Sequence, residues 1–111
     1  MAKNVYSVDS FSGTVVTNQE FWNEPIKFSI RAGSSTKVRV SIATSSNCVL
    51  QFTIDNGTTW LNFNQGNNIL ADSLYAFDVP LRNQDMFNLR TPNPSGTTVK
   101  LCRLDQVTNE G

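Results

Sequence analysis

Residues 36–42, Thr-Lys-Val-Arg-Val-Ser-Ile, alternate strictly between polar and apolar side chains. A β-strand turns successive side chains to opposite faces. This order therefore sets Val38, Val40 and Ile42 on one surface and Lys37, Arg39 and Ser41 on the other. The same period of two runs through Ile26-Lys27-Phe28-Ser29-Ile30 and through Cys48 to Ile54, where Cys48, Leu50, Phe52 and Ile54 share a face. It returns in Leu74 to Val79 (Tyr75, Phe77, Val79), in Met86 to Arg90 (Phe87, Leu89) and in Thr97 to Leu104, with Val99 and Leu101 on one side. No stretch of about a dozen residues carries the 3.6-residue period of an amphipathic helix.

Turn chemistry separates these runs. Arg31-Ala32-Gly33-Ser34-Ser35, Thr44-Ser45-Ser46-Asn47, Asn64-Gln65-Gly66-Asn67-Asn68 and Thr91-Pro92-Asn93-Pro94-Ser95-Gly96 all read as turns or loops. Asp55-Asn56-Gly57-Thr58 is a hairpin turn, since Asn-Gly supplies positive φ readily, and Thr59 to Phe63 returns antiparallel. Pro80 ends its strand or sets it at a sheet edge, because proline donates nothing to a ladder. Val5 to Val8 and Val15-Val16 add one or two weaker strands. About eight short strands at this spacing predict an all-β, antiparallel β-sandwich of jelly-roll or Greek-key type. Residues 14–107 would form the sandwich, 1–13 an N-terminal arm or edge strand, and 108–111 a frayed tail.

Composition limits what such a sandwich can do. A chain of 111 residues fits one domain. Only 16% are charged, against about 25% in an ordinary globular protein. Nine basic and nine acidic residues cancel. The nearest approach to a basic cluster is Lys37 and Arg39 on one strand, with Arg82, Arg90 and Arg103 scattered further on, so nucleic acid is not an expected partner. No apolar run approaches the roughly 20 residues of a membrane span, so no membrane partner is expected either. Met1 to Asp9 lacks the apolar core of a signal peptide, which points to folding in a cytoplasm. There Cys48 and Cys102 are expected as free thiols.

Histidine is absent. With it go the commonest general base and metal ligand, and any Ser-His-Asp or Cys-His arrangement. Cys-x-x-Cys, phosphate-loop and dinucleotide fingerprints are also lacking. Asp78 falls on the solvent parity of its strand, and Asp72 and Asp85 fall in loops, so no facing carboxylate pair is indicated. The expectation is a protein that binds or builds, with no catalytic residue, metal or cofactor.

One local pattern is specific. Thr53-Ile54-Asp55-Asn56-Gly57-Thr58-Thr59-Trp60 resembles the Asp-box hairpin that recurs in sialidase propellers. A propeller needs several copies and a far longer chain, so only the hairpin carries over. Asp55, Gly57 and Trp60 are then structural: the carboxylate accepts backbone N–H groups, the glycine takes the strained φ, and the indole packs on the turn. Trp22, in Glu20-Phe21-Trp22-Asn23-Glu24-Pro25, is the candidate platform for a sugar ring if exposed. That is the mark of a carbohydrate- or receptor-binding module.

From Val49 through Leu104 the chain is similar to small β-sandwich virion proteins of tailed phages. The similarity rests on the Asp-Asn-Gly-Thr-Thr-Trp hairpin, on 71–82 (ADSLYAFDVPLR), on 85–90 (DMFNLR) and on the strand 97–104 (TTVKLCRL). It implies a capsid decoration (cement) protein, or a tail or head-fibre component, located in the virion. The implied partners are further copies of the chain, as a homo-oligomer such as a trimer, and a major capsid or tail protein. Val5, Tyr6 and Val8 would then anchor an arm that adds a strand to a neighbour's sheet.

Overall fold

The structure is a computed structural model that describes residues 2–92 and 95–110. Met1, the Asn93-Pro94 part of the expected loop and Gly111 of the expected tail lie outside the described residues. The alternating segments fold as strands β1 (Ala2–Val15), β2 (Ile26–Lys27), β3 (Ser34–Thr44), β4 (Gln51–Thr53), β5 (Leu61–Asn62), β6 (Tyr75–Leu81), β7 (Met86–Arg90) and β8 (Thr97–Glu110). They form two four-stranded sheets, ordered β1-β8-β3-β6 and β2-β7-β4-β5. Every pairing between these strands is antiparallel.

In this order β1 pairs with β8, β2 with β7, β3 with β6 and β4 with β5. The chain is thus one long antiparallel hairpin wound on itself, with β8–β3 and β7–β4 closing each sheet. That is a jelly roll, two interlocked Greek keys.

The first sheet puts Val38, Val40 and Ile42 inward, fully buried, opposite Val79, Phe77 and Tyr75 on β6 and Gln106, Leu104 and Cys102 on β8. The second contributes Phe87 and Leu89, with Leu50, Ile69, Phe28 and Phe21 around them. Aromatic contacts tie β1 and β6 of the first sheet to residues that flank the second. Phe11 of β1 stacks on Phe21 at 4.8 Å, with Trp22 at its edge. Phe77 of β6 stacks on Phe63 at 4.8 Å, and Phe63 meets Phe52 at 4.6 Å. Each such pair contributes about 0.5–1.5 kcal/mol beyond its burial.

Several boundaries differ from the sequence expectation, each for a local reason. Thr108 to Glu110 are not a frayed tail: β8 runs to Glu110, flanked by Ala2–Asn4 on one side and Ser34–Thr36 on the other. Two ladders hold what polar composition alone marks as loose. The two weak N-terminal strands are one, because bulges at Ser7/Asp9 and Phe11/Gly13 carry the chain through without breaking the pairing. Pro80 lies inside β6, tolerated because β6 is an edge.

Val99 and Leu101 do not share a face. A register shift at Ala43/Thr44 buries Val99 and leaves Leu101 45% exposed. In the second sheet the expected strands at 26–30, 48–54 and 59–63 shorten to Ile26–Lys27, Gln51–Thr53 and Leu61–Asn62. Cys48 keeps only an isolated bridge to Ile69.

Candidate assembly surfaces

The Asp55 hairpin forms around side-chain acceptors. Asp55 Oδ1 accepts from the Thr59 backbone N–H at 2.8 Å and from the Thr53 hydroxyl at 2.7 Å. The same hydroxyl oxygen accepts from the Gly57 N–H at 2.9 Å. Asn56 and Gly57 take positive φ, 59° and 86°. These donors favour the ionised carboxylate, the Thr59 N–H foremost, and hold Asp55 below the usual carboxylate range. Trp60 lies against the turn, its ring within van der Waals reach of a Cβ placed at Gly57. The Arg90 guanidinium sits over that ring at 4.2 Å. Arg90 Nε also donates to Gln51, and Gln51 Nε2 to Asn62, so the three side chains form one polar row across the second sheet.

Trp22 is packed rather than presented. It is half-buried against Phe11 and Phe21, and its Nε1 is buried without a hydrogen-bond partner. The residue that fixes this loop is Asn88, which no sequence motif marks. It is fully buried; Nδ2 donates to the Trp22 carbonyl at 2.8 Å, and Oδ1 accepts from the Trp22 and Leu89 N–H groups. The available signal was an amide between Phe87 and Leu89, mid-strand on a run otherwise destined for the core.

The outer face of the first sheet carries charge in its middle. Asp78 pairs with Arg39 and with Lys37, both at 3.0 Å, and Arg103 with Asp105 at 3.1 Å. The Arg39 hydrogen bond, outweighing partial burial, holds Asp78 below its ordinary range. Asp85, in the loop before β7, is 8% exposed and accepts the Arg82 N–H at 2.7 Å. Asp72 is exposed and paired with Lys100. Among the described residues, no group of three or more metal-ligating side chains converges. No helix among them is long and apolar enough to cross a membrane.

The remaining feature is the sheet edges. The strand order exposes β1 and β6 in one sheet and β2 and β5 in the other. Residues 2–15 form β1 on the chain's own β8, which makes this segment an edge strand of its own sheet. Of the candidate anchors, Val5 and Tyr6 are 56% and 54% exposed, whereas Val8 packs against the core.

No family model and no curated protein matches this sequence. Solved structures do. A chain from the structure of infectious bursal disease virus, Gt strain, superposes with a TM-score of 0.52 over 96% of this chain, at 14% identity. A chain from T=1 particles derived from infectious bursal virus gives 0.50 over 97%, at 13% identity. This chain spans 32% and 31% of those two, about a third of each. At such identity the similarity is one of fold. The jelly roll is shared.

Proposed function

We propose that this chain is a non-enzymatic structural protein of a virus particle that decorates a protein shell through symmetric β-sandwich contacts. One observation carries the reading: the β1-β8-β3-β6 and β2-β7-β4-β5 jelly roll occupies nearly the whole chain and resembles chains of a virus and of its T=1 particles. The surface fits a building block, with Arg90, Gln51 and Asn62 paired on the second sheet and Val5 and Tyr6 exposed on the β1 edge. Its partners are further copies of itself and a major capsid or tail protein, as in the tailed-phage decoration proteins that the sequence resembles. The packing of Trp22 disfavours the carbohydrate-binding alternative.

The test is to band particles from the encoding organism on a density gradient and quantify the chain by mass spectrometry. The proposal expects the chain in the particle band, at a fixed ratio to the main shell protein and unmoved by free sugars. A chain that stays at the top of the gradient overturns it. Release by a free sugar would overturn it in favour of glycan recognition.

A further inference from the structure

The four sheet edges are not equally protected against pairing with another chain. β2 and β5 are two residues long each, too short to template a partner. β6 carries Pro80 and the paired charge of Asp78, both devices that blunt an edge. β1 is 14 residues long. Its bulges begin at Ser7/Asp9 and bend only its later part. The run before them pairs with β8 without a break, is free of proline, and has Val5 and Tyr6 exposed on opposite faces.

We propose that two copies of this chain join by antiparallel two-fold pairing of residues 3–7 of β1, making one sheet continuous through both. The inference deepens the building-block reading and rests on it for its setting; the edge comparison is its own support. A two-fold axis normal to the sheet keeps outer face with outer face, so residues of like parity must meet. With the axis at Val5, Val5 faces its own copy, Asn4 faces Tyr6, and Lys3 faces Ser7. No like charges oppose, and the pairing ends before the bulge. On the outer face the row Pro80–Lys37–Val107–Val5, set by the β6–β3–β8–β1 register, then continues into the same row of the second copy. Four valines line up across the junction and cover the exposed Val5 side chains. A foreign strand would satisfy the backbone equally; the self-match of the side chains selects a second copy.

The experiment uses the untagged full chain. Residues directly opposite in a sheet hold Cβ atoms about 4.5–5.5 Å apart, a small shift from the 3.5–4.5 Å or so of a disulfide. V5C with diamide as oxidant should therefore give a covalent dimer. V16C, equally exposed at 56%, should not. The native Cys48 and Cys102 are fully buried and stay out of the reaction. In sedimentation equilibrium, wild type should be a concentration-dependent dimer. V5K, which sets two lysines face to face at the axis, should be a monomer with an unchanged circular dichroism spectrum.

Cross-linking of V5C no faster than V16C, or a wild type that is monomeric throughout a dilution series, overturns the proposal. A wild type that stays monomeric yet fills particles removes the edge pairing and leaves the building-block reading standing. Dimers that never enter particles do the reverse.

Discussion

The two sheets of this jelly roll are held together by different means. The β1-β8-β3-β6 sheet is a backbone structure, with strands of 14, 14, 11 and 7 residues in nearly continuous register. The β2-β7-β4-β5 sheet has strands of 2, 5, 3 and 2 residues. What it lacks in ladder it gains from side chains that accept backbone N–H groups: Asn88 for Trp22, Asp55 for Thr59, Asp85 for Arg82 and Asn83 for Ile30. A ladder is indifferent to most side chains, but a side-chain scaffold depends on each one. The second sheet is therefore fragile to single substitutions, and the first is free to spend its surface on contacts.

The largest effect expected is from Phe87→Ala. This ring is fully buried at the centre of the second sheet and meets Phe28 edge-on at 6.4 Å. Its loss should cost about 3–5 kcal/mol in denaturant unfolding. Asn88→Ala comes next, at about 2–3 kcal/mol, because it leaves the Trp22 N–H and carbonyl without their buried partner. Hydrogen exchange should show the Phe21 and Trp22 amides opening while the β8 amides stay protected.

The matching change in the first sheet is Thr36→Val, which breaks the buried Thr36–Thr108 hydroxyl pair at 3.1 Å. Thr108 keeps the Gln106 amide at 3.2 Å and the ladders are untouched, so the cost should stay below about 1 kcal/mol. Equal costs for Asn88→Ala and Thr36→Val would break the comparison.

A smaller effect separates two carboxylates. Asp55 and Asp78 both have depressed folded-state values. Each contributes stability that is present above the ordinary carboxylate value near pH 4 and is lost as pH falls through its folded value. Asp55 owes its shift first to a backbone N–H, whereas Asp78 owes its own to Arg39 and Lys37. High salt should therefore flatten the acid limb contributed by Asp78 and leave that of Asp55. Comparing Asp78→Asn and Asp55→Asn across pH, in low and high salt, reads this directly.

The same contrast explains what could be read from sequence. Val38, Val40 and Ile42 are legible as core because a long ladder enforces period two, and the sandwich class follows from its repetition. The Asp55 turn was legible because its geometry is local. The register shift at Ala43/Thr44 was not, since it depends on pairing with residues far along the chain; it sends Leu101 outward. The pairing of Thr108 and Asn109 escaped for the same reason: both are polar, and β1 and β3 on either side hold them. Asn88 looked like an ordinary strand residue until the Trp22 loop was in place beside it. Val5 and Tyr6 were visible as apolar anchors, but exposure at the one unprotected edge is a property of the strand order.

Electron cryo-microscopy of particles banded from the encoding organism tests the central claim most directly. The account predicts eight-stranded jelly-roll density at symmetric positions on the shell, with the long sheet continuous between two copies across β1. A shell resolved to strand level without such a domain would contradict it.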